Sequence, residues 1–210
     1  MRADAARNRA RLVSAAREVF AEHGLGVSMR QIALHAGVSE PTLRRRFPCR
    51  EELVAEAFQD QIAVYADEAE RALTDPDPWA GFVGFVRRLA QMQLADRGFT
   101  EVLTMTFPAA MRAEDQRRRA YAALTALIRR AQERGSLRAD FSPEDLVLVL
   151  MAHAGVVAGG GALSPVFSDR LLGYLFEAFA APGSGELPPA PSVAQTYRAL
   201  LRLHADAPRS

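Results

Sequence analysis

The fold of this chain is decided by the stretch SMRQIALHAGVSEPTLRRR, residues Ser28 to Arg46. Gln31 follows Ser28 at the spacing of a capping box, which indicates that a helix begins there. Gly37 interrupts the apolar pattern one short helix later, and glycine can adopt the positive φ that a sharp turn needs. Ser39 can cap a second helix after the turn. The stretch therefore predicts two short helices joined by a tight turn, a helix-turn-helix arrangement.

The second of these helices carries a polar outer face that suits a DNA major groove. Arg44 is a candidate base reader, because a guanidinium can bind guanine O6 and N7 together and discriminate by about 1–3 kcal/mol. Arg45, Arg46 and Arg50 should neutralise phosphates, which fixes register without reading sequence. Three consecutive Arg beside Thr42 favour this interpretation over a merely solvated face. The predicted DNA-binding residues are Ser28, Arg30, Ser39, Glu40, Pro41, Thr42, Arg44, Arg45, Arg46 and Arg50.

Charge is distributed unevenly along the chain. Residues 1–50 carry ten Arg and four Asp or Glu, a net of +6, whereas residues 51–210 carry sixteen Arg and twenty-one acidic residues, a net of −5. These values sum to the net +1 of the whole chain. A basic end on an acidic remainder suits a molecule that presents one end to a phosphate backbone.

The whole chain has the composition of a soluble globular protein, with 49% hydrophobic and 24% charged residues. Its longest apolar run, Leu146 to Gly161, is short for a membrane span and is broken by His153 and glycines. The first residues, MRADAARNRARL, are charged and lack the apolar core of a signal peptide. We therefore expect a cytoplasmic protein that contacts no membrane. Cys49 is the single cysteine, which excludes an internal disulfide, and we interpret it as a packing or weak capping residue rather than a redox sensor.

Helical periodicity over the rest of the chain predicts an all-α fold. Residues 1–50 should form a three-helix DNA-binding domain, with a linker helix beginning near residue 50. Residues 51–210 should form a larger antiparallel helical domain, with a flexible loop at 182–192 that is rich in Pro and Gly. The predicted helices are Arg7–His23, the two of the helix-turn-helix, Arg50–Leu73, Pro78–Asp96, Gly98–Thr106, Met111–Arg134, Glu144–Ala158, Pro165–Ala180 and Val193–His204.

Two groups of arginines outside the helix-turn-helix have alternative interpretations. Arg2, Arg7, Arg9 and Arg11 precede or open the first helix, where they form either an arm that contacts DNA or a solvated tail. The residues 117–119 are also arginines, and we interpret them as a solvated face rather than a second DNA site.

Two strongly apolar helices near the carboxyl end exceed what one small core needs. Glu144–Ala158 is apolar on almost every side, so it should be buried on almost every side. Pro165–Ala180 follows three consecutive glycines and is also rich in Leu and Phe. We interpret the two helices as an interface with a second copy of the chain, which predicts a homodimer.

The segment from Arg9 to Phe58 resembles the DNA-binding domain of the TetR family of bacterial repressors. The agreement covers about a quarter of the chain, and beyond it there is only a general likeness near Arg97–Pro108 and Ser142–Val157. The residues that carry the resemblance are Ala15, Ala16, Phe20 to Gly24, Ser28 to Ala33, Ala36 to Ser39, Thr42, Leu43, Phe47, Pro48 and Arg50 to Leu53.

The resemblance implies a homodimeric transcriptional repressor. Each subunit would place one recognition helix in a half-site of a palindromic, double-stranded operator. A small apolar effector of unknown identity, bound in the C-terminal domain, would release the DNA, and the tilt of the linker helix would act as the lever. Two positions depart from the family, because Arg44 stands where Tyr is usual and Arg50 where Lys is usual. The first departure shifts Arg44 toward base reading.

The ligand site has only compositional support. Aromatic and Met side chains in the C-terminal helices could line a cavity, although each is more often simply core. His153 is the one polar group among them, and a hydrogen-bonded core histidine is its alternative. The sequence predicts neither a metal nor a cofactor. The candidate ligand-binding residues are Trp79, Phe82, Phe85, Met92, Leu103, Met105, Phe107, Met111, Tyr121 and His153.

An enzyme is not expected, because the sequence displays no nucleophile–base pair, carboxylate dyad or phosphate-cradling loop. Two alternatives remain beside the regulator. One is a helical small-molecule-binding protein or enzyme that no longer binds DNA. The other is an interaction module that binds another protein through its apolar C-terminal helices.

Overall fold

The computed structural model describes residues 2–103, 112–183, 185 and 187–205. Within these ranges the chain forms eleven α-helices and one 3-10 turn and has no strand, so the predicted all-α fold is confirmed. The helices are α1 (Arg2–His23), α2 (Met29–His35), α3 (Glu40–Arg46), α4 (Arg50–Ala57), α5 (Gln59–Leu73), α6 (Pro78–Ala95), α7 (Arg97–Val102), α8 (Arg112–Glu133), α9 (Pro143–Gly160), α10 (Ser164–Phe179) and α11 (Val193–Ala205), and the 3-10 turn is Gly161–Leu163.

The first four helices pack around one apolar core, and we call them the head. Leu12 of α1, Ile32 of α2, Leu43 of α3 and Leu53 of α4 have no exposed surface in this core. Each comes from a different helix, so the head holds its shape only when all four helices are in place. The head therefore extends past residue 50 and includes α4.

The helix-turn-helix forms as its sequence predicts. The hydroxyl of Ser28 accepts a hydrogen bond from the Gln31 N–H at 3.2 Å, and the Gln31 side chain accepts one from the Ser28 N–H at 2.8 Å. Gly37 has φ of 67° in the turn. Ser39 then has the extended backbone of an N-cap, with Pro41 in the first turn of α3. Local signals are therefore sufficient to define this part of the head.

The predicted linker helix Arg50–Leu73 is wrong as one continuous rod. The structure divides it at Phe58, which has φ of −112° and ψ of 9° between α4 and α5. The Phe58 ring is fully buried, and its centroid lies 6.0 Å from that of Phe20 and 6.5 Å from that of Phe99. The break accompanies burial of this ring between the head and α7, so tertiary packing overrides the helical periodicity.

The remaining long helices form a second core, and we call α5, α6, α8, α9 and α10 the body. Phe82, Phe85 and Leu89 of α6 and Leu127 of α8 are at most 1% exposed in it. Arg119 of α8 binds carboxylates on α5, which agrees with the prediction that the arginines of this helix form a solvated face.

The prediction that the first apolar helix is buried on almost every side is wrong for a single chain. Only one side of α9 packs into the body, and Leu148 is 48% exposed on the other. On α10, Val166, Phe167 and Tyr174 are also exposed. The two helices thus combine a buried inner face with an apolar outer face.

The segment Pro143–Phe179 is long and apolar enough to cross a membrane by length and composition, and an 18-residue stretch within it has a mean hydropathy of 2.0. It is not one rod, because Gly161 has φ of 52° and the segment folds back into two helices that pack on each other. A buried polar cluster around His153, described below, also crosses this helix pair.

The loop after α10 is fixed at its start by Arg138. Its guanidinium donates to the carbonyl oxygens of Ala178 at 3.2 Å and Gly185 at 2.8 Å, and it forms an ion pair with Asp140. The hydrogen bond and positive charge that Arg138 supplies to Asp140 hold the pKa of the Asp140 carboxyl below its usual value. The predicted flexible loop at 182–192 therefore has at least one anchored residue.

Candidate nucleic-acid interface and its connection to the body

The outer face of α3 is a basic surface of the head. Leu43 and Phe47 point inward and are fully buried, which leaves Arg44, Arg45 and Arg46 exposed. Pro41 is exposed at the start of the same face. Since a helix is narrow enough to enter a major groove, this face can approach base edges.

Hydrogen bonds within α3 orient two of the three arginines. Arg44 Nε donates to Glu40 Oε1 at 2.8 Å. Arg45 Nη2 donates to the hydroxyl of Thr42 at 3.2 Å, and that hydroxyl lies 2.8 Å from the hydroxyl of Ser39. These hydrogen bonds join five predicted DNA-binding side chains into two groups, Glu40 with Arg44, and Ser39 and Thr42 with Arg45.

The remaining predicted contacts divide into two groups. Arg30 and Arg46 are exposed, and their guanidinium groups make no ion pair with any residue that the structure describes. Ser28 is half-buried, and its hydroxyl caps α2. These positions are compatible with the predicted phosphate and base contacts.

Arg50 differs from the other predicted DNA contacts because it points inward. Its Nη1 donates to the carbonyl oxygen of Val27 at 2.5 Å, and its guanidinium carbon lies 5.6 Å from the centroid of the Phe20 ring. Burial lowers the pKa of Arg50 from its ordinary value. The phosphate contact predicted for it is not supported by this position, which instead ties α4 to the loop before α2.

Neither of the two alternatives for the arginines at the amino end, a DNA arm or a solvated tail, describes Arg9. Helix α1 begins at Arg2, more than one turn before the predicted start. Arg9 binds Glu56 of α4 through three hydrogen bonds of 2.5–2.9 Å and lies 4.1 Å from the centroid of the Phe47 ring. It is a structural ion pair of the head, neither a DNA arm nor a solvated tail.

Helix α7 connects the two parts, because it follows α6 of the body and packs against α1 of the head. We call the contact between α7 and α1 the joint. A Cβ atom added to Gly98 would lie 2.6 Å from the carbonyl oxygen of Phe20 and 2.7 Å from Cζ of Phe58. Both distances are shorter than van der Waals contact, so only glycine fits at this position. The neighbouring Phe99 stacks on Phe58. The joint is therefore close-packed, so a displacement of α7 must also displace α1.

Polar contacts surround the packed centre of the joint. Arg17 of α1 forms an ion pair with Asp96, the residue that caps α7, and the Arg17 guanidinium lies 4.5 Å from the centroid of the Phe58 ring. The N–H of Leu25, just after α1, donates to Glu101 Oε2 of α7 at 2.8 Å. The head is thus joined to α7 and its cap by an ion pair at one point and by a backbone hydrogen bond to a carboxylate at another.

Two family models match the chain, one for each part of this architecture. Residues 12–57 match the bacterial regulatory proteins of the tetR family, and residues 77–177 match the C-terminal domain of SbtR-like transcriptional regulators. The chain belongs to the TetR family. It is accordingly a DNA-binding transcriptional regulator with a TetR-type head and a C-terminal helical domain, and the predicted resemblance is confirmed.

Solved structures of other TetR proteins have the same fold. A TetR transcriptional regulator from Streptomyces coelicolor is 28% identical over 83% of this chain and 99% of that chain, with a TM-score of 0.51. SmeT, the repressor of the Stenotrophomonas maltophilia multidrug efflux pump SmeDEF, is 20% identical over 88% and 96%, with a TM-score of 0.53. FadR from Bacillus subtilis, solved with stearoyl-CoA, is 14% identical over 80% and 98%, with a TM-score of 0.53. The comparison with curated proteins returns no match.

Four of the ligand-binding residues predicted for this TetR protein lie in the core or on the surface of the body. Phe82 and Phe85 are fully packed in the body core, and Trp79 stacks on Phe82 with a centroid distance of 5.8 Å. Tyr121 is 47% exposed, and its hydroxyl donates to Glu144 at 3.1 Å. These four residues are core and surface residues in this state of the chain. Three further predicted residues, Met105, Phe107 and Met111, lie outside the described residues.

Met92 and Leu103 have a different position from the rest of the predicted set. Together with Tyr65, they are partly buried and pack against both the head core and the body core. Met92 also lines a groove of about 450 Å³ beside the joint, with Arg17, Asp96 and further residues of α5 and α6. A molecule bound near these side chains would contact both parts of the protein.

His153 is buried in a polar cluster that the sequence did not reveal. Its Nδ1 lies 2.7 Å from Gln93 Oε1 and its Nε2 lies 2.7 Å from Ser168 Oγ. The Gln93 amide donates to the carbonyl oxygen of Leu150 at 3.2 Å, so Oε1 is the acceptor and His153 Nδ1 carries the proton. Burial lowers the pKa of His153 from its ordinary value. The neutral imidazole therefore satisfies both neighbours.

The same cluster contains the geometry of a nucleophile and a base, which the sequence did not display. Ser168, His153 and Gln93 are aligned as hydroxyl, imidazole and orienting amide, but each is at most 1% exposed. A substrate could not reach the Ser168 hydroxyl in this arrangement. We interpret the cluster as a hydrogen-bonded connection between α6, α9 and α10. This interpretation agrees with the TetR relatives, which are transcriptional regulators.

Cys49 occupies the N-cap of α4 without a side-chain hydrogen bond to the helix. Partial burial raises the pKa of its thiol, which reduces the thiolate fraction that reacts with oxidants. This agrees with the packing interpretation. Among the residues that the structure describes, no three His, Cys, Asp or Glu side chains are grouped as metal ligands.

Proposed function

We propose that this chain is a homodimeric repressor that leaves a palindromic operator when a small apolar ligand binds to its body. The observation that carries the proposal is the outer face of α3, where Arg44, Arg45 and Arg46 are exposed over the buried Leu43 and Phe47. Such a face enters a major groove and pairs with phosphates and guanine edges.

The outer face of α9 and α10 supports the homodimer. Leu148, Val166, Phe167 and Tyr174 are each 47–64% exposed on these two helices. Large apolar side chains exposed together on one helix pair are compatible with a subunit interface. A second copy that packs its own pair of helices there would complete a four-helix interface and give the dimer two recognition helices.

A twofold dimer requires an operator with twofold symmetry. Each α3 would read one half-site, and the two half-sites would be separated by about one or more helical turns of DNA. Exposed Arg30 and Arg46 would add phosphate contacts on both sides of each half-site. Binding should therefore weaken steeply with salt, because each phosphate contact releases counterions.

The effector would act through the side chains shared by both cores. Tyr65, Met92 and Leu103 contact the head core and the body core together. A ligand that separates them must move α7, and the packed joint at Gly98 would pass this movement to α1. The ligand releases DNA only if it binds the free geometry more tightly than the DNA-bound geometry. DNA binding also implies that the protein works in the cytoplasm.

In vitro selection from a random duplex library tests DNA reading directly. The wild-type protein should enrich a palindrome with two half-sites, and its affinity should fall linearly with salt on logarithmic axes. Arg44→Ala should lose or change the consensus. Arg118→Ala is the matched control, because Arg118 is an equally exposed arginine on the body, and it should enrich the wild-type consensus. A folded dimer that shows no salt-dependent binding to any duplex would rule out the repressor.

Dimerisation and release have separate tests. Val166→Glu places a charge on the exposed apolar face and should convert the dimer to monomers in sedimentation, with operator affinity reduced. A reporter gene under the selected operator should be expressed less when the protein is present. An unchanged sedimentation coefficient for Val166→Glu would place the interface elsewhere, and increased reporter expression would indicate an activator.

A further inference from the structure

Glu40 and Arg44 form an ion pair along the exposed face of α3. Nε and Nη2 of Arg44 lie 2.8 Å and 2.7 Å from the same oxygen of Glu40, Oε1. The two residues are four positions apart, so their side chains lie one turn from each other on the same side of the helix. Glu40 therefore fixes both the direction of the guanidinium and the edge that it presents.

The edge left free by Glu40 is the one that recognises guanine. A guanidinium has five N–H groups. The hydrogen bond to Glu40 occupies Nε–H, and Nη2 lies in ion-pair contact with the same carboxylate oxygen, so Glu40 takes up the side edge that these two nitrogens form. The end edge remains, with one hydrogen on Nη1 and one on Nη2 pointing in the same direction. This pair matches the two acceptors N7 and O6 in the major groove, which no other base presents.

The other arginines of α3 are not held in this way. Arg45 has a single hydrogen bond of 3.2 Å, to the neutral hydroxyl of Thr42. The guanidinium of Arg46 has no partner among the described residues, and its backbone carbonyl accepts a hydrogen bond from Arg9. Among the three arginines of α3, only Arg44 is thus paired with a carboxylate that fixes its orientation and leaves its end edge free.

We propose that Glu40 is a positioning residue that presents the end edge of Arg44 to a guanine, so that each operator half-site contains one required G·C pair. This inference rests on the proposed function as an operator-reading regulator. In this proposal Glu40 acts only through Arg44, which binds its Oε1, and does not itself read a base.

The ion pair has a second consequence for DNA binding. An isolated carboxylate on a recognition helix faces phosphates and is repelled by them, whereas the Glu40–Arg44 pair has no net charge. Removing Arg44 alone leaves that carboxylate uncompensated. Arg44→Ala should therefore weaken operator binding more in the wild-type background than in a Glu40→Ala background.

The test measures affinities for the selected operator and for a duplex in which the required G·C pair is replaced by A·T. Wild type should prefer G·C by about 10–100-fold, the usual range for a bidentate contact. Glu40→Ala should reduce this preference severalfold, and Arg44→Ala should abolish it. Glu40→Gln keeps an acceptor oxygen for Nε and should restore part of the preference.

A matched control separates positioning from charge. Glu18→Ala removes an exposed carboxylate from the head, away from α3, where it binds only His35 and Ser14. It should leave the G·C preference unchanged. Thermal unfolding of each variant checks that the head remains folded.

The outcomes distinguish the two proposals. A wild type without sequence-selective binding overturns both. Selective binding in which Glu40→Ala keeps the full G·C preference, or in which no half-site position requires guanine, overturns the role of Glu40 alone. Loss of affinity in Glu40→Ala with an unchanged preference would also overturn it, since a positioning residue must alter the ratio.

Discussion

Arginine serves opposite purposes on the α3 face and at the joint. The Arg44 side chain is 56% exposed on α3, whereas the Arg17 side chain is 25% exposed and packs between α1 and the body. At the joint, Arg17 lies over the ring of Phe58 and pairs with the buried Asp96. The positive charge is available to a nucleic acid in the first case and is used internally in the second.

The difference shows that net charge overestimates the surface that DNA can use. All twenty-six basic residues are Arg, and ten of them lie in residues 1–50. Two of these ten, Arg9 and Arg50, use their guanidinium groups on carboxylate, carbonyl and aromatic partners within the head. Arginine suits both uses because its planar group stacks on rings and binds oxygen in a fixed geometry.

Filling the joint should have the largest effect. Gly98→Ala places a Cβ against the backbone of Phe20, which cannot move without disturbing α1, so the free energy of unfolding should fall by about 1–3 kcal/mol. Urea denaturation measures the change. Gly84→Ala is the matched control on α6, where a Cβ meets nothing within 4 Å, and it should be neutral or stabilising by about 0.5–1 kcal/mol. Equal stability of the two variants would contradict a close-packed joint.

Breaking the ion pair of the joint should have the next largest effect. Arg17→Met removes the partner of Asp96, which is 8% exposed, and should cost about 1–3 kcal/mol because a buried carboxylate is left without it. Arg118→Met removes an exposed pair with Asp115 and should change stability by less than about 1 kcal/mol. The two unfolding free energies are measured side by side. An equally small loss of unfolding free energy in both variants would mean that Arg17 stabilises the fold no more than an exposed arginine does.

Arg46 and Arg50 should separate DNA binding from stability. Arg46→Ala should lower the slope of log affinity against log salt by about 1 and leave unfolding unchanged, because its guanidinium is free to pair with phosphate. Arg50→Met should lower stability by about 1 kcal/mol, since it removes the bond to the Val27 carbonyl, and should keep the wild-type slope. Salt titration of operator binding tests both. A reduced slope of log affinity against log salt for Arg50→Met would show instead that Arg50 contacts a phosphate.

The smallest effect is expected from pH over the mild range from pH 8 to pH 6. The pKa of His153 is lowered by burial, so the unfolded chain binds a proton more readily than the folded one. The contribution of His153 to stability is therefore complete above its unfolded pKa near 6.5 and is lost progressively as pH falls from that value through the lower folded pKa. Unfolding free energies at several pH values should decline more for wild type than for His153→Gln. An identical decline would assign the effect to other groups.

Local signals were sufficient to predict the helix-turn-helix. The capping pair Ser28 and Gln31, the positive φ of Gly37 and the buried Leu43 all follow from residues within a few positions of each other. Each depends on spacing along one helix or turn, which the sequence displays directly. The exposed arginine face of α3 follows from the same periodicity.

Distant contacts could not be predicted in this way. Arg9 forms its ion pair with Glu56, which lies 47 residues away in the sequence, and His153 is hydrogen-bonded to Gln93, which lies 60 residues away. Periodicity places a residue on one side of its own helix but does not say which other helix packs there. The break at Phe58 has the same origin, because its ring is buried against Phe20 of α1 and Phe99 of α7, which are distant from it in the sequence.

The apolar segment Pro143–Phe179 also has a consequence for synthesis on the ribosome. It is translated after α5, α6 and α8, which together supply most of the core that buries its inner face. Nascent helices that emerge earlier can already have begun to collapse when this segment leaves the exit tunnel. The order of the chain therefore shortens the time for which its most aggregation-prone and most membrane-like stretch is exposed to ribosome-associated targeting factors and chaperones.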